Sequence, residues 1–165
     1  YLEAAGEILE AADPKRLFFV RPSAKVPARA AAKQIVARTA TRAYRRPVRD
    51  DELKRLMRLY DQARAGRESH EAAVKLALKA VLVSPNFLFR SEIDPGAGGV
   101  VALNDFELAS RLSYFLWAST PDDTLLALAR AGRLSDPKVL STQVDRMLES
   151  PKAQAFAESF AGQWL

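Results

Sequence analysis

The stretch Leu103–Asp123, reading LNDFELASRLSYFLWASTPDD, decides how this chain folds. Asn104 is a good helix N-cap, and Glu107 three positions on can return a hydrogen bond to the Asn104 N–H, the reciprocal pattern of a capping box. Leu103 before the cap and Leu108 beyond it are spaced for a hydrophobic staple. Leu108, Leu112, Phe115 and Leu116 then recur at helical spacing with Ala109 on the same side, which predicts a helix whose inner face they form. Thr120-Pro121-Asp122-Asp123 reads as a second start: a threonine cap, a proline at the first helical position and two carboxylates near the positive end of the helix dipole. The stretch therefore specifies a helix, a tight corner and another helix. Its apolar excess around Tyr114–Trp117 asks for a neighbour to cover it.

Working outward, the same device recurs. Asp136-Pro137 opens a helix with Val139, Leu140, Val144, Met147 and Leu148 on one face, and Ser150-Pro151 opens another with Phe156, Phe160 and Trp164 four apart. Gly132 is expected to end the helix begun at Thr120. Upstream, Asp94-Pro95-Gly96-Ala97-Gly98-Gly99 reads as a linker and domain boundary. Before it, helical spacing predicts Leu2–Ala12, Ala28–Arg45, a helix from an Asp50 cap to Gly66, and one from a Ser69 cap to Val83. Leu17–Val20 and Phe87–Phe89 read as short extended connectors near 17–20 and 87–90. The expected fold is all-α, as two small helical bundles or one extended multi-helix array. Residues 1–26 would be the tail of a preceding domain and a connector, with helical domains at 27–94 and 101–165, the second truncated at its C-terminus.

Composition narrows function more than it names it. The hydrophobic share of 48% is enough for a packed core and argues against disorder. No apolar run approaches the roughly 20 residues a membrane helix needs, and no leader segment is read at Tyr1. Without an initiator Met, the chain reads as a piece of a longer polypeptide. With no Cys, it holds no disulfide, thiolate nucleophile, iron–sulfur cluster or c-type haem attachment. The net charge of +5 is concentrated: residues 29–67 carry twelve Lys or Arg against four carboxylates.

Candidate chemistry is sparse. His70 is the single histidine. It sits in a first helical turn, and adjacent Ser69 diverges by about 100°, so the two form no nucleophile–base pair; an exposed first-turn residue is expected. Asp122 and Asp123 could be read as an acid–base or metal pair, but their place after Thr120-Pro121 explains them as dipole partners, and Glu107 is explained by its capping box. No phosphate loop or nucleophile elbow is present. Arg38, Arg42, Arg45, Arg46 and Arg49 could share one face, which reads first as a solvated or interdomain surface and second as a docking face for a partner protein. A nucleic-acid partner is less favoured, because no aromatics interleave with these cations and Asp50, Asp51 and Glu52 lie beside them. The phenylalanine stripe and Tyr114, Phe115 and Trp117 read as core.

Longer motifs carry a resemblance. Arg42–Val48, reading RAYRRPV and followed by the acidic helix start, resembles the opening of domain-of-unknown-function family 1595, and Leu78–Arg90, reading LKAVLVSPNFLFR, resembles its close. Leu103–Asp123, Gly132–Pro137 (GRLSDP) and Phe160–Leu165 (FAGQWL) resemble family 1592, and Tyr1–Ala12 resembles the tail of family 1587. The resemblance implies a large exported multidomain polypeptide, periplasmic or otherwise extracytoplasmic, that often carries a c-type cytochrome unit. It implies haem c elsewhere in the full-length protein and no cofactor in these residues. A redox or polysaccharide-related role goes with it, but no catalytic residue does. The expected function is a non-catalytic helical scaffold or docking module whose partners are neighbouring domains of the same polypeptide. One alternative is part of an enzyme completed by other domains; another is nucleic-acid binding through the basic face.

Overall fold

The structure, a computed structural model, describes residues 1–90 and 102–164. The expected Asp94–Gly99 linker lies outside the described residues. The fold is all-α, and the chain divides into two compact units, Tyr1–Ser91 and Glu92–Leu165.

The first unit comprises α1 (Leu2–Ala11), α2 (Pro14–Leu17), α3 (Ala28–Ala43), α4 (Asp50–Ala65), α5 (His70–Leu82) and α6 (Pro85–Leu88). Helix α5 is its axis, with α1, α3 and α4 packed around it. The inner stripe of α5 is Ala73, Val74, Ala77, Leu78 and Val81, all fully buried. Its alanines share one core with Ala32, Ala40 and Ala43 of α3, and small side chains let the backbones approach while Ile35, Val36 and Leu78 fill the remaining space. Each such aliphatic side chain contributes roughly 1.5–3 kcal/mol by leaving water.

Single helical turns border the two expected connectors near 17–20 and 87–90. One runs over Pro14–Leu17 and leaves Phe18, Phe19 and Val20 outside any helix; the other runs over Pro85–Leu88 and takes in Phe87 and Leu88 in place of an extended segment. The reason is the same cap-plus-proline device found downstream: the Asp13 carboxylate accepts from Lys15 N–H at 2.9 Å, and the Ser84 hydroxyl from Asn86 N–H at 3.3 Å. Gly66 is the C-cap of α4, as the sequence indicates, but its φ of −75° is ordinary. Arg67 takes the left-handed conformation (φ 65°) instead, and Glu68 N–H closes on Ala63 O at 3.0 Å.

The second unit holds α7 (Asp105–Trp117), α8 (Asp123–Arg130), α9 (Pro137–Leu148), a 3-10 turn over Pro151–Ala153, and α10 (Gln154–Trp164). The capping box forms as read: Asn104 Oδ1 accepts from Phe106 and Glu107 N–H, both at 3.0 Å, and Glu107 Oε2 accepts from Asn104 N–H at 2.9 Å. The core gathers Ala109, Leu116, Trp117, Leu125, Ala129, Leu134 and Met147. The Trp117 indole N–H donates to Met147 O at 2.9 Å, tying α7 to the end of α9. Asp105 reaches almost as far along the chain and accepts from Leu134 N–H at 2.7 Å.

Phe115 departs from the expected inner face, being 64% exposed. The buried face of α7 runs through Ala109, Ser113, Leu116 and Trp117, about one position off the leucine pattern, and Phe115 instead rests its ring on Phe156 at 5.0 Å. The cap of α8 is also displaced. Pro121 is buried ahead of the helix, and Asp122 rather than Thr120 is the N-cap, accepting from Leu125 N–H at 2.9 Å.

Helix α7 ends on Ala118 in the left-handed conformation (φ 48°), where a side chain is disfavoured. Ala118→Gly is expected to stabilise the second unit by up to about 1 kcal/mol, read as a higher midpoint in chemical denaturation. By contrast Gly132 (φ 63°) meets the same requirement with the right residue, as the sequence indicates.

Candidate functional site

Charged side chains gather in three polar clusters and in a groove between α3 and α4. The first cluster closes the corner between α3 and α4. Helix α3 stops at Ala43, and Arg45, with φ 59°, turns its side chain inward. Its guanidinium donates to Ala43 O at 3.1 Å, Phe87 O at 3.2 Å, and Asn86 O and Phe89 O both at 2.8 Å. Beside it the Arg46 fork donates to both Glu52 oxygens, at 2.7 and 3.0 Å, a bidentate pair. Asn86 Nδ2 and Arg49 N–H also donate to Glu52, at 3.1 and 2.8 Å. Glu52 is 3% exposed, and the Arg46 hydrogen bonds hold its carboxyl at about 2, well below its ordinary 4.5.

This arrangement redistributes the five arginines of the docking face. Arg45 is buried, and Arg46 is half-buried on Glu52. Exposed Arg49 lies against Asp51 and Glu52, and the Arg38 guanidinium sits 4.7 Å from the centre of the Phe19 ring. Arg42 is exposed on α3. The structure thus brings Arg45, Arg46 and Arg49 together as a helix junction, not the five as one open stripe. Glu52, which the sequence places beside these cations, is the centre of that junction.

The second cluster is His70 with Tyr60. His70 is half-buried rather than exposed, and its Nδ1 lies 3.0 Å from the Tyr60 hydroxyl. Its Nε2 is buried without a hydrogen-bond partner. Burial, then the nearby Arg64 charge, pushes the imidazole below its ordinary 6.5, with Glu71 opposing. Tyr60, itself 2% exposed, anchors the pair in the core. Because the folded state prefers neutral His70, the unfolded chain takes the proton first as pH falls. Stability is therefore expected to decline as pH drops below about 6.5 and to level off below the folded pKa. His70→Gln should flatten that slope in denaturation midpoints measured across pH.

The third cluster joins α8 to α9. Arg146 donates to Asp122 at 2.7 Å and to Gln143 Oε1 at 2.8 Å, and its guanidinium lies 5.5 Å from the Trp117 ring centre. Burial pushes the Asp122 carboxyl up, but the Arg146 hydrogen bond and Leu125 N–H more than offset this and leave it below its usual range. Asp122 is consequently a cap and an ion-pair partner, while Asp123 lies in the first turn of α8. Among the described residues no three His, Cys, Asp or Glu side chains gather as a metal site, and no helix is long and apolar enough to cross a membrane.

The groove was not visible as such in the sequence. It has a volume of about 660 Å³ and lies between α3 and α4 in the first unit. Five cations, Arg29, Lys33, Lys54, Arg55 and Arg58, meet two carboxylates there, Asp50 and Asp51. Arg29 is held by Asp61 in a bidentate pair at 2.8 and 2.9 Å, and Arg55 by Asp51 at 2.8 Å. The signal that could have found it is the one-turn spacing of Arg29 with Lys33 and of Lys54 with Arg58, which puts each pair on one helix face.

No curated protein and no solved structure matches the chain. Two family models do: PSD5, a protein of unknown function (DUF1595), over residues 31–92, and PSD4, a protein of unknown function (DUF1592), over residues 103–165. The two matches fall one on each compact unit, with the PSD5 match running one residue past Ser91. Residues 31–92 therefore belong to the PSD5 family and residues 103–165 to the PSD4 family.

Proposed function

We propose that this chain is a non-catalytic helical scaffold that holds neighbouring domains of a longer polypeptide. The supporting observation is the use to which its acids and bases are put. Glu52, His70, Glu107 and Asp122 each bond within their own unit, at helix junctions and caps, where their removal would loosen the fold before it altered any chemistry. The family resemblance adds the context of an exported polypeptide with c-type haem on another domain. A leader and a Cys-x-x-Cys-His motif in the full-length product, with a Soret band that survives denaturation, are the expected marks of that context. Their absence would remove the haem and export reading and leave the scaffold.

Exchange of residues 1–165 for a Gly/Ser linker in the full-length protein tests the scaffold itself. After limited proteolysis the flanking domains should stay together when the helical module is present and separate when it is replaced. Identical separation in both forms would overturn the reading. The enzyme alternative predicts a different result: turnover by the full-length protein that is abolished by His70→Gln or Asp122→Asn with the helical fold intact.

A further inference from the structure

We propose that the groove between α3 and α4 is a docking site for an acidic, amphipathic polypeptide segment. The inference rests on the scaffold reading and names the kind of partner. Lys33, Lys54 and Arg58 are exposed and make no ion pair among the described residues, whereas Arg29 and Arg55 are already engaged by Asp61 and Asp51. Lys54 and Arg58 stand one turn apart on α4, and Lys33 reaches the same groove from α3. Charge complementarity therefore calls for an anion with charges at turn-like spacing, which glutamates at i and i+4 on a helix provide.

Two features select a polypeptide over a nucleic acid. Asp50 and Asp51 lie in the same groove, and a phosphate backbone, with a charge every 1.7 Å or so along the duplex axis, could not pass without meeting them. A peptide can place its carboxylates opposite the cations and leave the aspartates facing solvent. Half-buried Leu53 lies in the groove above the core residue Met57, and no aromatic ring lines it, so it offers apolar contact for an aliphatic side chain and no platform for stacked bases.

The test titrates the 165-residue chain into a fluorescein-labelled peptide alternating glutamate and leucine at helical spacing and follows anisotropy at about 50 mM and 200 mM salt. Controls are the same peptide with Gln for Glu and a short duplex DNA. The acidic peptide should bind best, more weakly at the higher salt. Lys33→Glu with Lys54→Glu and Arg58→Glu should weaken it by roughly tenfold or more, while Arg130→Glu with Arg133→Glu and Lys138→Glu on the second unit should leave it within about twofold. Should charge reversal disturb the helical circular dichroism, glutamine at the three groove positions replaces it, with a smaller loss in the same direction. Tighter binding of the DNA, equal binding of the Gln peptide, or equal loss from the two triple variants would overturn the proposal. None of these outcomes bears on the linker exchange, so the scaffold reading stands or falls separately.

Discussion

Glu52→Ala is expected to destabilise the first unit by about 3–5 kcal/mol, the scale observed when one partner of a buried ion pair is removed. The carboxylate at 3% exposure accepts from the Arg46 fork, Asn86 Nδ2 and Arg49 N–H, and its loss leaves the half-buried Arg46 and Asn86 side chains short of acceptors. Urea denaturation of the chain should show the loss, with hydrogen exchange placing it in α3–α6. Glu52→Gln keeps the shape and should lose less. The same group also sets an acid limit. Its pKa falls from 4.5 unfolded to about 2 folded, so the stability it contributes is fully present above about 4.5 and disappears as pH falls towards 2. The shift corresponds to about 3 kcal/mol. A variant lacking the carboxylate should therefore lose stability less steeply than the wild type over that window; parallel curves would refute the role given to Glu52.

Trp117→Ala is expected to cost the second unit about 3–5 kcal/mol, because a large buried ring disappears from a small core. Trp117 is 6% exposed, and its ring is flanked by the Arg146 guanidinium and, at 4.9 Å, by the Lys152 ammonium. Trp117→Phe separates the ring from its polar edge. It keeps much of the packing but strands Met147 O, at a cost of about 1–3 kcal/mol. If both variants lost equally, the indole hydrogen bond would dominate; if Phe were silent, packing alone would hold α7 to α9. Hydrogen exchange confined to α7–α10 identifies the affected elements.

What was legible in the sequence follows from range. Caps are written within four residues, so the Asn104–Glu107 box, the Asp136 and Ser150 starts and the Gly132 stop were readable directly. The same rule covered Ser84-Pro85, but the apolar run after it looked extended, and the one-turn α6 was missed. Thr120 and Asp122 can both serve as a cap, and only burial of Pro121 and the reach of Arg146 decide for Asp122. The role of Glu52 depends on Asn86, 34 residues away, and that of Arg45 on carbonyls more than 40 residues away. No local pattern encodes such pairings. The groove was half legible, as two cation pairs at one-turn spacing whose convergence is a tertiary fact.

Arg45 has a consequence for the order in which the chain takes shape. It binds the carbonyls of Asn86, Phe87 and Phe89, at separations of 41, 42 and 44 residues. During synthesis the corner after α3 emerges long before them, so a nascent chain stopped ahead of Phe89 carries a left-handed arginine without these three carbonyls. The corner is thus the last part of the first unit to lock, and ribosome-bound chains of increasing length should gain protease resistance there only once Phe89 has cleared the exit tunnel.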